Sequence, residues 1–343
     1  MKIGLVGYQG SGKSSVFELL TGTKPDPAKT HTGQLGTAVL PDPRFDGLVK
    51  HFNPKKISPA RIELFDTPGL SREAGETNNQ RISIVREAEA LVHVIGAYAG
   101  GDPAADARRF EDDLILADLQ VVQNRIERLE QSVKKNRPDR EQSQIELKEL
   151  KPIEALLQEG KLLREVEFTE DQEKFTKSFS LLTRKAQLLL LNTADATVDE
   201  SLLAKLRSQG YLVVAAPLGL ELEVQALDES ERAAFAADFG LGEPSRERVL
   251  RAIFEATRQI TFFTSDEKEV RAWLLRKGST ALEAAGTIHT DLARGFIRAE
   301  IMAVDDLLRL GSEREVKAAN LYHTVGKDFV MRDGDEIVVR FNV

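Results

Sequence analysis

A phosphate-binding loop at the start of the chain constrains the fold more than any other feature. Residues Gly7 to Ser14 read Gly-Tyr-Gln-Gly-Ser-Gly-Lys-Ser, a complete GxxxxGKS, and the run Lys2 to Val6 before it is mostly apolar. That run suits a buried strand and the stretch Ser15 to Leu20 suits a helix; a strand joined to a helix through such a loop belongs in an α/β sheet. Only glycine lets the backbone turn tightly enough to aim successive amides at a polyphosphate. Gly7, Gly10, Ser11, Gly12 and Ser15 therefore form the expected cradle. Lys13 carries charge to the outer phosphates, and the Ser14 hydroxyl suits Mg²⁺ at the start of a helix whose dipole favours an anion.

Composition narrows the setting. The 343 residues allow two or three domains, and 41% apolar with 30% charged residues is ordinary globular material. Cysteine is absent, which excludes disulfides, thiolate catalysis and cysteine-based zinc sites and fits a reducing cytoplasm. The uncharged stretch Tyr211 to Leu220 is about half the length of a membrane span, and a strand occupies the place of a signal peptide, so no membrane role is expected. A net charge of −8 argues against wholesale electrostatic binding to nucleic acid.

The next strand identifies a second nucleotide element. Ala60 to Phe65 alternates as a half-buried strand should and ends in Asp66-Thr67-Pro68-Gly69, a DxxG. A carboxylate at a strand end beside the phosphate loop can hold the Mg²⁺ shell, and Gly69 can present its amide to a terminal phosphate. Between the two motifs, Thr30, Thr32 and Thr37 lie in a loop of the kind that closes over Mg²⁺, with Thr30 the candidate. Later, the apolar run Gln187 to Leu191 ends in Asn192-Thr193-Ala194-Asp195, an NxxD. Asp195 can accept both donors of the guanine edge, although Thr193 stands where NKxD places lysine.

Two further regions have their own periodicity. From Ile115, the positions Leu119, Val122, Ile126, Leu129 and Val133 follow a helix seam until Asn136-Arg137-Pro138 breaks it, and Ile145 to Leu157 returns as a second amphipathic helix. Lys134, Lys135, Arg137 and Arg140, opposed only by Asp139, make the tip of this hairpin basic. Thr169 to Gln172 reads as a capping box. Beyond Thr261, Trp273 and Ile297 lie in strand-like runs, Ala303 to Leu310 suits a helix, and Asp333-Gly334 signals a hairpin between Phe329-Val330 and Ile337 to Val339.

With these elements placed, the chain resembles the YchF/Obg-like ATPase family. The resemblance is carried by Ile260 to Thr264, Glu269 to Trp273, Arg276 to Gly278, Ala284 to Glu300 with Ile288-His289-Thr290-Asp291, Gly326 to Asp328 and Arg340 to Val343, and also by Pro41 to Arg44 and Leu114 to Leu129. It implies an α/β P-loop GTPase-type nucleotide domain (1–110 and 183–258), an inserted α-helical hairpin or coiled coil (111–182) and a C-terminal TGS domain of β-grasp type (259–343). It also implies a purine-nucleotide switch that uses GTP or ATP with Mg²⁺ and has the ribosome or ribosomal RNA as partner. Roles then follow at matching positions: Lys13, Thr30 and Gly69 in hydrolysis, Ser14, Thr30 and Asp66 at the metal, and Asn192, Thr193 and Asp195 at the base.

Four departures qualify that resemblance. Gly10 replaces a loop asparagine, which argues against activation by a monovalent cation. The second switch, Ser71 to Gln80, is short and contains one glycine, Gly75. The histidine the family places after the next strand has no counterpart in Ala97 to Asp113, and His93 falls in the preceding strand, where packing is its expected role. Asp195 stands where the family ends in glutamate, which tilts the reading towards GTP. Leu70 takes the place of a water-orienting glutamine, as it does in the family, so slow hydrolysis is expected. The alternative is a non-catalytic, nucleotide-stabilised scaffold or regulatory binding protein; a metabolic kinase is disfavoured because neither DTPG nor NTAD supplies an acceptor site.

Overall fold

The computed structural model describes residues 1–73, 76–134 and 140–342. Gly75, Lys135, Asn136, Arg137, Pro138, Asp139 and Val343 lie outside the described residues. The chain divides into two compact units, Met1–Gly36 with Glu63–Ala252, and Thr37–Ile62 with Ile253–Val343.

Among the described residues the strands are β1 (Lys2–Val6), β2 (Gln34–Val39), β3 (Lys56–Ser58), β4 (Arg61–Asp66), β5 (Ala90–Gly96), β6 (Ala186–Asn192), β7 (Val213–Ala216), β8 (Gln259–Ser265), β9 (Glu269–Arg276), β10 (Phe296–Ala303), β11 (His323–Val325) and β12 (Asp335–Phe341). One sheet has the order β2-β4-β1-β5-β6-β7. Its pairs β1/β4, β1/β5, β5/β6 and β6/β7 are parallel. Parallel strands covered on both faces need near-continuous apolar sequence, and β1, β5 and β6 are buried along almost their whole length. Because β1 lies between β4 and β5, the chain leaves it first to one side and later to the other. Such a reversal opens a crevice at the carboxyl ends of the strands. The Gly7–Gly12 loop occupies that end and leads into helix α1 (Lys13–Thr21), whose Val16, Phe17, Leu19 and Leu20 are buried.

Helix α2 (Pro43–Phe52) belongs to the second unit and α3 (Glu76–Val85) to the first. Helix α4 (Pro103–Lys134) runs for 32 residues, about 48 Å, and packs against α5 (Arg140–Gln158). The seam Ile115, Leu119, Val122, Ile126 and Leu129 meets Leu150, Ile153 and Leu157 as the periodicity anticipates. Two details differ. Ile145 is 46% exposed and lies off the seam. The helix also begins at Pro103, so the expected boundary at 110/111 falls inside it and most of Ala97 to Asp113 is helical: the Asp102 carboxylate accepts from the amides of Ala104 and Ala105, with proline at the first helical position. Asp118 ties α4 back to the sheet; fully buried, it accepts from Leu182 and Thr183 amides, the Thr183 hydroxyl and Arg86. The expected capping box forms at Thr169 and Gln172.

The second unit holds a sheet of order β11-β10-β12-β8-β9-β3. Ala281 and Ala284 pack on one part of its core with Ile260, Phe262 and Ile337, and Phe45, Leu48 and Leu307 on another with Phe263 and Met302. Residues 37–62 thus pack with the C-terminal segment, although position in the chain suggested the nucleotide domain. The reasons are specific: β3 pairs with β9, Ser58 donates to Glu269, Arg44 pairs with Asp333, and a Cβ at Gly47 would come within 2.5 Å of Leu308. The hairpin expected at Asp333-Gly334 is a different turn. Asp333 accepts from the Thr261 amide and Gly334, at φ +90°, donates to Thr261 O, which feeds β12 into parallel contact with β8. Among the described residues no helix is long and apolar enough to cross a membrane.

Candidate nucleotide-binding site

The phosphate loop takes its shape from two close approaches. Gly7, at φ +141°, would place a Cβ 2.4 Å from Val94 O, and Gly12, at φ +104°, would place one 2.3 Å from Asn192 Nδ2. Both positions exclude any side chain. Gly10 has φ +75° and accepts a hydrogen bond from the Tyr98 hydroxyl. Asn192 Nδ2 donates to Ser11 O at 3.2 Å and is buried, so this residue, expected at the base, fastens the end of β6 to the phosphate loop. Ser11 Oγ is buried without a partner. Gly12 precedes helix α1 and offers no side-chain cap, leaving the helix's first amides to an anion, and Ser15 is half-buried in its first turn.

The DxxG segment lies alongside the loop through main-chain bonds: Leu70 N donates to Gly7 O at 3.0 Å and Gln9 N to Leu70 O at 2.9 Å. Thr67 Oγ1 donates to Leu5 O at 2.6 Å. This register brings Gly69 so close to the loop that a Cβ there would be 2.7 Å from Lys13 Nζ. Lys13 is 7% exposed and donates to Tyr8 O at 2.9 Å. Burial lowers its ammonium to about 8; Asp66 partly offsets this and Arg81 adds like-charge repulsion. The Ser14 hydroxyl donates to Asp66 Oδ2 at 2.7 Å, while Asp66 Oδ1 is buried and unpartnered. Burial raises the Asp66 carboxyl, against the Ser14 hydrogen bond and the Lys13 charge.

These groups line one cavity of about 460 Å³, which Thr30, His31 and Arg81 also reach. Thr30 ends a short turn, Pro27–Lys29, and its hydroxyl donates to Pro27 O at 2.8 Å. Thr193 and Asp195 follow β6 at the same end of the sheet but do not line the cavity. Asp195 is exposed and accepts from Thr197 N at 2.8 Å, and Thr193 Oγ1 donates to Asp195 O at 2.8 Å. His93 is fully buried in β5, stacked on Phe110 at 4.0 Å, with burial lowering it to about 3. Asp26, Lys29, His31, Gln34 and Arg81 are among the cavity residues that the motifs do not point to. His31 has no motif spacing, and Arg81 follows the second switch directly; its proximity to that segment was the one available signal.

Comparison with known proteins shows similarity along the whole chain. A family described as 50S ribosome-binding GTPase matches residues 2–135, and the YchF GTPase C-terminal family, described as a protein of unknown function, matches residues 259–342. Ribosome-binding ATPase YchF of Haemophilus ducreyi is 33% identical over 363 residues, covering 100% of this chain and 99% of that protein. The protein of the same name from Bacillus subtilis is 33% identical over 365 residues, covering 99% of each. Obg-like ATPase 1 of Oryza sativa subsp. japonica is 32% identical, covering 100% of this chain and 92% of that protein. The structure of the Schizosaccharomyces pombe YchF GTPase matches with a TM-score of 0.81 at 26% identity, covering 99% of this chain and 97% of that one. With similarity running from the phosphate loop to the last strand, this chain belongs to the YchF family.

Proposed function

We propose that this chain is a P-loop nucleoside triphosphatase that binds a purine nucleotide with Mg²⁺, hydrolyses it slowly, and acts as a switch on the ribosome. The observation that carries the reading is the convergence of Lys13, Ser14, Asp66 and Gly69 on one cavity at the carboxyl end of β1. The ribosome enters through the relatives, which are named ribosome-binding ATPases, and the matching family of ribosome-binding GTPases. The residues fit Mg²⁺: an orphaned Asp66 oxygen and the Ser14 hydroxyl form a hard oxygen pair, and Thr30 lines the same cavity. When bound, the ion supplies positive charge to the β- and γ-phosphate oxygens. Lys13 then exchanges Tyr8 O for phosphate oxygens, the Gly7–Gly12 amides hold the β-phosphate, and the Gly69 amide meets the terminal phosphate.

Leu70 is buried and apolar and cannot orient a water, which supports low intrinsic turnover. We read α4 and α5 as an inserted helical hairpin and residues 259–343 as a TGS domain of β-grasp type; a mixed sheet with helix Ala281–Ile288 packed on its core supports the latter. For the base, Asp195 favours GTP over ATP, and its exposed carboxylate leaves room for a purine edge. The buried Leu70 and the absence of a histidine from Ala97 to Asp113 also favour the second reading, a nucleotide-stabilised scaffold without catalysis. Titration with fluorescent GTP and ATP, followed by steady-state hydrolysis with and without ribosomes, decides. Triphosphate binding with ribosome-stimulated turnover is the expected result; binding with no turnover in either condition selects the scaffold.

A further inference from the structure

Helix α3 carries Arg81, and the turn directly after it carries Arg86; the two arginines are used differently. Arg86 is fastened: its guanidinium donates to Asp118 Oδ1 at 2.7 Å and to the carbonyls of Ala117, Phe179 and Ser180. Arg81 is held by a single carbonyl, Gly69 O, at 2.6 Å from Nη1. Among the described residues no carboxylate pairs with it. Its guanidinium lines the cavity shared by Lys13, Ser14, Asp66 and Gly69, and it bonds the very peptide unit of the DxxG glycine.

We propose that Arg81 is a second cation for the terminal phosphate, supplied in cis from α3, a role that rests on the reading of this cavity as a triphosphatase site. The cavity wall holds Lys13, Lys29 and Arg81 against Asp26 and Asp66, so positive charge is in excess where a polyphosphate would sit. Asp26 is committed to capping the turn at Ala28. Arg81 and Lys13 also repel each other in the free site, which an anion between them reverses. A guanidinium has five donors in a planar fork, so the bond to Gly69 O leaves others for phosphate oxygens. In the reaction, a water oxygen bonds to the terminal phosphorus as its bond to the bridging oxygen breaks. The electron pair leaves on the diphosphate, and the water proton passes to a phosphate oxygen. Arg81 stays protonated and stabilises the charge that builds on the departing diphosphate and the equatorial oxygens.

The test uses the full chain as wild type, Arg81→Ala and Arg81→Lys. Affinities for GDP and the β,γ-imido analogue of GTP in Mg²⁺ are measured by competition, with the adenine pair in parallel, and hydrolysis by single turnover at saturating triphosphate. Arg81→Ala should keep diphosphate affinity within about threefold and lose about tenfold or more of its triphosphate preference. Its hydrolysis rate should fall by about a hundredfold or more. Arg81→Lys should retain most of the binding preference and still lose at least about tenfold in rate, because an ammonium lacks the rigid planar fork that aims two donors at once while a third bond holds Gly69 O. A wild-type rate and preference in Arg81→Ala overturns the proposal, and so does an equal loss for di- and triphosphate, which would make Arg81 a prop for Gly69. If Arg81→Ala does not fold by thermal melt, an unchanged rate in a folded Arg81→Lys overturns it. Wild type that binds no nucleotide would refute the site reading itself, and is told apart by the first titration.

Discussion

The buried lysine makes triphosphate binding proton-linked. Lys13 falls to about 8 in the free protein because burial strips its water, and one carboxylate, Asp66, only partly compensates. Phosphate oxygens around the ammonium should return it towards its ordinary value near 10.5. At pH 8 about half of the free sites would then lack the proton, so binding takes up about 0.5 proton, rising to about 0.9 at pH 9 and falling below about 0.1 at pH 7. Affinity should drop about tenfold between pH 7 and pH 9 for the same reason. Calorimetric titration with a non-hydrolysable triphosphate in buffers of low and high ionisation enthalpy gives the uptake directly. The Lys13→Ala variant, expected to bind about ten- to a hundredfold more weakly, should show none of it. Zero uptake in wild type at pH 9, or equal uptake in Lys13→Ala, would refute the reasoning. The same group has a consequence for folding. Its folded value lies below its unfolded one, so the unfolded chain binds the extra proton between pH 8 and 10.5, and stability from this residue rises with pH across that window, by up to about 3 kcal/mol.

Other outcomes follow from the same geometry. His93 is neutral in the fold and lowered to about 3, so the unfolded chain takes up a proton as pH falls from 6.5; stability should decline towards pH 3 by up to about 5 kcal/mol, and urea titrations on a His93→Gln variant should lack that slope. Gly12→Ala forces a Cβ against Asn192 Nδ2 at a positive φ and should abolish nucleotide binding while costing about 1 to 3 kcal/mol; wild-type affinity in fluorescence titration would contradict the loop geometry. Asp195→Asn keeps the acceptor for Thr197 N, so the turn survives, and preference should move from GTP to xanthosine triphosphate by about 1 to 3 kcal/mol; a three-way competition that leaves ATP preferred in both proteins would remove Asp195 from the base. Lys134 and Arg140 are exposed at the ends of α4 and α5, and replacing them together with Lys135 and Arg137 by glutamate should weaken ribosome co-sedimentation and flatten its salt dependence; an unchanged salt slope would assign the tip to solvation.

The parts legible in the sequence are those whose cause is local. Gly7 and Gly12 set the loop because consecutive backbone torsions dictate where its amides point, and the apolar runs of β1, β5 and β6 announce buried parallel strands. The Thr169 and Gln172 box and the α4 seam were visible for the same reason, since each depends on residues three or four apart. Asp102-Pro103 encodes an equally local helix start. What only the tertiary structure decided are encounters between segments far apart in the chain. Asn192 is placed by its motif, but its bond to Ser11, 181 positions away, exists only because sheet order sets the end of β6 against the phosphate loop. Residues 37–62 read as nucleotide-domain sequence until β3 paired with β9, and Asp333-Gly334 read as a hairpin until Thr261 and Arg44 claimed it. Arg81 shows the limit most clearly. Its helix is encoded nearby, but the direction in which its side chain points follows from how α3 packs against the DxxG segment, and that packing is a property of the assembled core.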